Sequence, residues 1–150
     1  MEAANWMWGL LLTALTIGIH AVGVVLSALA FAGIRRRLAD RHLPPRRAIP
    51  ILISLVSAAG LLLAVLHGLE AGIWAAAYIW LGAIASPSEA ILYSIDSMST
   101  RGASGVALEA HWRMMGALES VNGMLLFGIS TAYIFTILQT SWRILARQRR

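Results

Sequence analysis

Between Glu2 and Arg35 the chain carries no charged residue, an uninterrupted run of more than thirty positions. That run fixes the environment in which the chain folds. A helix of about 20 residues crosses the roughly 30 Å hydrocarbon core of a bilayer, and soluble core helices rarely stay uncharged for as long as about 18. The rest of the chain agrees: 59% of its 150 residues are hydrophobic and 13% are charged, where a soluble domain carries roughly a quarter charged residues. The expectation is an all-α membrane protein of one domain's length. The segment ahead of the first run holds Glu2 and no basic residue, unlike the start of a secretory signal peptide, so this run is read as a retained helix.

The twelve basic residues are all Arg, and there is no Cys. A disulfide framework, a thiolate metal site and a cysteine nucleophile are thereby excluded. A pI near 11 in a soluble protein would point to nucleic acid. Here Arg35, Arg36, Arg37, Arg41, Arg46 and Arg47 cluster after the first apolar run, and Arg143, Arg147, Arg149 and Arg150 after the last. Arg at the ends of apolar spans sets orientation and meets anionic headgroups. No nucleic-acid partner is expected. Residues 35–47 form a cytoplasmic Arg-rich loop, with the N-terminus outside and the C-terminus inside.

Residues 1–34 therefore make an N-terminal transmembrane segment, with its helix from about 5 to 34 and Trp6 and Trp8 at the outer interface. A second helix spans about 48–85, opening near Arg47 with Pro50 in its first turn. At about 35 residues it exceeds the bilayer core, so it tilts, or bends at Gly68 and Gly72. Splitting it into two spans needs a very tight turn and conflicts with both Arg clusters lying inside. Ser86, Pro87 and Glu89 mark the start of a short helix over 87–99: Ser caps it, Pro takes its first position and Glu sits three after the cap. Ser99-Thr100-Arg101-Gly102-Ala103-Ser104-Gly105 follows, too polar and glycine-rich to be regular helix in lipid. A final span covers 111–147, with Trp142 at the inner interface. Three spans result, with a short helix and an irregular loop before the last. Irregular backbone at membrane depth is tolerated where protein buries it or it lines water, so the short helix and its loop read as a re-entrant pore element.

With this layout, residues 48 to about 140 resemble the small bacterial potassium-channel pore family, with an extra N-terminal helix. That family's filter reads approximately Thr-Thr-Val/Leu-Gly-Tyr-Gly-Asp after a short pore helix. Thr100 and Gly102 match it; Arg101, Ala103, Ser104 and Gly105 replace the apolar residue, the Tyr, the second Gly and the Asp. The stretch GALESVNGMLLFGISTAYIF is similar to the family's inner helix, with Gly116, Gly123 and Gly128 as candidate hinges, Gly123 and Gly128 foremost. The resemblance implies a homotetramer in a bacterial inner membrane that passes a small inorganic ion. It departs from the family where stacked carbonyls replace an ion's hydration shell.

Arg101 controls what such a loop can do. If four copies face one another across a pore at about 8 Å, each pair costs about 2 kcal/mol at an effective dielectric near 20, and the ring favours anions. If Arg101 turns back into the protein it requires a carboxylate, because an unpaired buried charge is prohibitive. Asp96 on the short helix and Glu119 on the last span are the candidates, and the paired arrangement is favoured. Two readings stay open: an ion channel with a non-standard filter, or a non-conducting scaffold or accessory subunit sealed by Arg101.

Ionisable groups inside a span are functional candidates by default. His20 lies mid-span, about 21 Å along the helix from Trp6. His67 and Glu70 share a face at i, i+3, as a proton relay, a pH sensor or a hydrogen-bonded tie between helices. His67 is placed near the outer surface, so a depth mismatch with His20 argues against a bis-His haem. His67, Glu70 and His111 give a conceivable metal set without diagnostic spacing. No metal or cofactor is expected. Glu109 and Arg113 read as an i, i+4 ion pair, and Met114, Met115 and Met124 as core packing. No nucleophile–base pair or phosphate loop is recognisable, so no enzyme is expected.

Overall fold

A computed structural model of the chain describes residues 2–39, 45–102 and 105–147. Helix α1 covers Glu2–Ala39, α2 Pro45–Trp80, α3 Pro87–Met98 and α4 Arg113–Arg147, the last preceded by a 3-10 turn at Ala110–Trp112. No strand occurs among the described residues. Ala4–Ile34, Ile49–Trp80 and Ala110–Trp142 are long and apolar enough to cross a membrane. The chain is an all-α, multi-pass membrane protein.

The arrangement of side chains matches that solvent. Leu10, Leu11, Val25, Leu61, Leu69 and Phe135 are exposed, while Asn5, Thr16, His20, Glu70, Glu119 and Asn122 are buried. In α1 the inward face recurs at Asn5, Gly9, Leu12, Thr16 and His20, and in α4 at Met115, Glu119, Asn122, Gly123 and Leu126. Both rows follow the three-or-four-residue step that keeps side chains on one helix face. Lipid supplies no partner for a polar group, so polar groups turn inward and aliphatic ones outward.

Two compact units are present. One takes in Met1–His20 and Leu66–Gly128; the other takes in Ala21–Val65 and Ile129–Arg150. In the first, an apolar cluster gathers Leu12, Trp74, Tyr78, Tyr93, Met115 and Leu126. Tyr78 and Tyr93 meet edge-on at 5.3 Å, as do Trp8 and Trp80, the favoured geometry for aromatic pairs. In the second, Ser27 Oγ donates to Tyr133 Oη at 2.8 Å and Phe31 packs edge-on against Tyr133.

Several sequence-based boundaries shift. Helix α1 exceeds the expected 5–34 at both ends. Helix α2 begins at Pro45, so Pro45 takes the first position and Pro50 lies inside the helix, where the Ser54 hydroxyl donates to its carbonyl at 3.0 Å. The expected end at 85 is overturned: α2 stops at Trp80. Residues 81–85 form a turn in which Gly82 takes φ +71°, a conformation glycine adopts at little cost. Helix α3 starts where the Ser-Pro-Glu pattern predicts, with Ser86 Oγ accepting from the Glu89 backbone N–H at 3.5 Å. Of the three methionines expected in the core, Met115 is buried and Met114 and Met124 are exposed, as outward positions on an apolar helix in lipid allow.

Candidate functional site

The site begins at the end of α3. Its last turn closes with two backbone hydrogen bonds: Arg101 N–H donates to the Asp96 carbonyl and Thr100 N–H to the Ser97 carbonyl, each at 3.0 Å. Ser99 is the helix cap, its own N–H donating to the Ile95 carbonyl at 3.0 Å. This is a Schellman closure, whose left-handed position usually belongs to Gly or Asn. Here that position is Thr100, at φ +57°. A β-branched residue in this region carries roughly 1–2 kcal/mol of strain. Gly102 at φ +80° and Gly105 at φ +97° take positive φ without that cost. Ala103 and Ser104 lie outside the described residues.

Arg101 and Asp96 come together. Arg101 Nη1 lies 3.4 Å from Asp96 Oδ1, the carboxylate buried and the guanidinium largely exposed. They stand five positions apart, and the Schellman turn brings the Arg backbone over the start of the last helical turn where Asp96 sits. Glu119, the other expected partner, is committed elsewhere. Fully buried in α4, it accepts from Tyr78 Oη at 2.8 Å and from Ser94 Oγ. One carboxylate thus holds α2, α3 and α4 at a single point.

Glycine completes the seat of α3. A Cβ at Gly123 would stand 2.6 Å from Met98 Cα, so the end of α3 rests directly on the backbone of α4. Helix α4 runs unbroken through Gly116, Gly123 and Gly128. One turn from Glu119, Asn122 Nδ2 donates to Thr16 Oγ1 of α1 at 2.8 Å.

A second buried cluster joins α1 to α2. His20 Nδ1 lies 2.9 Å from Glu70 Oε1, and His67 Nδ1 lies 3.5 Å from Glu70 Oε2. The His20 and His67 rings are 5.1 Å apart, and Phe127 stacks on His67 at 5.2 Å. The expected depth mismatch between the two histidines is overturned. Helix α2 enters at Pro45 and leaves at Trp80, not over 48–85, and it packs so that His67 stands level with His20. His111 belongs to neither cluster: it pairs with Glu109 at 3.3 Å. That contact replaces the expected Glu109–Arg113 pair, because Glu109 precedes the helix and the i, i+4 geometry does not apply to it.

Sequence reasoning missed Tyr78, Ser94, Thr16 and Asn122 as members of these networks. The available signal was spacing: Asn122 stands three after Glu119, and Thr16 four before His20, each sharing its neighbour's helix face. The chain matches no known family model, no curated protein and no solved structure.

Proposed function

We propose that this protein is a potassium-channel-like membrane protein whose pore element is α3 and the loop Ser99–Gly105, built as a homo-oligomer, a tetramer by resemblance, and passing a small inorganic ion. It is read as lying in a bacterial inner membrane, N-terminus outside and C-terminus cytoplasmic, with its Arg clusters against anionic headgroups. One observation carries the reading. A 12-residue capped helix sits with one face buried, is held by Glu119 of α4, rests on Gly123 and is followed by Thr100, Gly102 and Gly105 at positive φ. Such a helix is too short to span a bilayer, and its irregular continuation is tolerated where protein surrounds it or it faces water. The loop departs from the family's filter in form as well as sequence, since Thr100 closes the helix. The Arg101–Asp96 pair supports a guanidinium drawn back to α3 over a ring of four facing charges.

That same pair favours a second reading, in which Arg101 seals the loop and the protein is a non-conducting scaffold or accessory subunit. Purified protein in planar bilayers under a KCl gradient separates the two. Reversal at the potassium potential supports the cation channel, and reversal at the chloride potential supports anion passage controlled by Arg101. A silent wild type, with conduction in the combined variant Arg101→Val, Ala103→Tyr, Ser104→Gly, supports the scaffold. Silence in both removes the channel reading.

A further inference from the structure

The cluster of His20, His67 and Glu70 has no role in the pore reading, and its chemistry is specific. Each residue offers one ligand atom, and the three atoms lie within 4.8 Å of one another. His20 and Glu70 are fully buried and His67 is about one-fifth exposed. Glu70 Oε2 is buried and makes no hydrogen bond. A buried carboxylate oxygen with no hydrogen bond is costly, and a buried carboxylate calls for a positive charge. The sequence offers none nearby along these helices: there is no Lys, no Arg before Arg35, and none between Arg47 and Arg101. Both imidazole Nδ1 atoms instead face the two oxygens of this carboxylate, and Phe127 backs the His67 ring.

We infer that His20, His67 and Glu70 form a binding site for one divalent transition-metal ion of the zinc class, joining α1 to α2 inside the apolar span. Two imidazoles and one carboxylate are the donor set of zinc sites that keep a fourth position open. Calcium and magnesium require oxygen cages, which this site lacks. Metal–ligand bonds of about 2.0–2.1 Å place tetrahedral donors on the order of 3.3 Å apart. The 2.9 Å and 3.5 Å contacts already approach that spacing, and rotation of the half-buried His67 closes the rest. One carboxylate leaves a dipositive ion with a net charge of +1. An anionic fourth ligand, hydroxide or chloride, suits the apolar surroundings. The alternative occupant of this space is nothing: a hydrogen-bonded His–Glu–His cluster that only ties helices.

The test uses the full chain in detergent micelles, stripped with a chelator, desalted, and titrated with Zn2+ by calorimetry, with bound zinc counted by mass spectrometry. The expected result is one zinc per chain. His20→Ala, His67→Ala and Glu70→Gln each weaken binding at least tenfold, while His111→Ala leaves it unchanged. Co2+ loading of the wild type gives a second measurement that needs no variant: intense visible bands mark a four-coordinate site, and weak six-coordinate bands mark surface binding. No stoichiometric zinc on the wild type, retention of zinc by both His20→Ala and His67→Ala, loss of zinc with His111→Ala, or a six-coordinate cobalt spectrum each overturns the inference.

Discussion

Gly123→Ala isolates the contact on which α3 rests. The added methyl would stand 2.6 Å from Met98 Cα and 2.8 Å from its carbonyl carbon. These are backbone atoms, so no side-chain rotation relieves the overlap and α3 must move off α4. Overpacking of this kind costs about 1–3 kcal/mol. Ala also gains about 1 kcal/mol over Gly in helix propensity, which masks part of the loss if the variant is compared only with wild type. Gly128→Ala supplies the control: it lies on the same helix, and a Cβ there meets nothing within 4 Å. The propensity gain cancels between the two variants. Gly123→Ala is therefore expected to be about 1–3 kcal/mol less stable than Gly128→Ala, about 5- to 150-fold in the unfolding equilibrium constant. Denaturant titration in mixed micelles, followed by Trp fluorescence and far-UV circular dichroism, reads this difference. Equal stability of the two variants would refute the claim that Gly123 is required by the approach of Met98.

Three further substitutions test the networks around that contact. Glu119→Ala strands the hydroxyls of Tyr78 and Ser94 and is expected to cost about 2–6 kcal/mol, at about 1–3 kcal/mol for each orphaned group; a loss below about 0.5 kcal/mol in the same titration counts against the network. Thr100→Gly removes the left-handed strain and is expected to stabilise the fold by about 1 kcal/mol; a destabilised variant would show that the Thr side chain contributes more than its backbone costs. For Asn122 and Thr16, a double-mutant cycle with Asn122→Leu and Thr16→Val is expected to give a coupling near 0.6 and no more than about 1.7 kcal/mol, the range for hydrogen bonds between membrane helices. Strict additivity would mean that the 2.8 Å contact contributes nothing.

The apolar runs and the helix start at Ser86–Glu89 were legible because they rest on local chemistry, a long uncharged stretch and a cap. The Arg101–Asp96 pair was also legible, since a guanidinium in such a loop must find one of few carboxylates. The end of α2 was not: Leu81, Ala83 and Ile84 are as apolar as the helix before them, and one glycine among several gives no warning that it takes a positive φ. The meeting of His20 with His67 and Glu70 was hidden for a different reason. Depth along a helix is counted from its end, and an error of a few residues in where α2 enters and leaves moves His67 by several ångströms. Hydroxyl and phenol partners such as Ser94 and Tyr78 are not selected by sequence at all, because packing alone decides which of many such groups faces Glu119.

Thr16 and His20 give the first helix a meaning that its position at the edge of the sequence conceals. Were the chain trimmed at the Arg-rich loop, Asn122 would lose its acceptor, Glu70 would lose an imidazole, and Leu118 would lose the surface that the bare backbone of Gly9 presents to it. Lipid compensates none of the polar losses. The first helix thus contributes to α2 and α4 by contact, whatever joins it to them across the loop. Two fragments co-expressed on either side of it should reassemble, while the longer one alone should be cleared as misfolded.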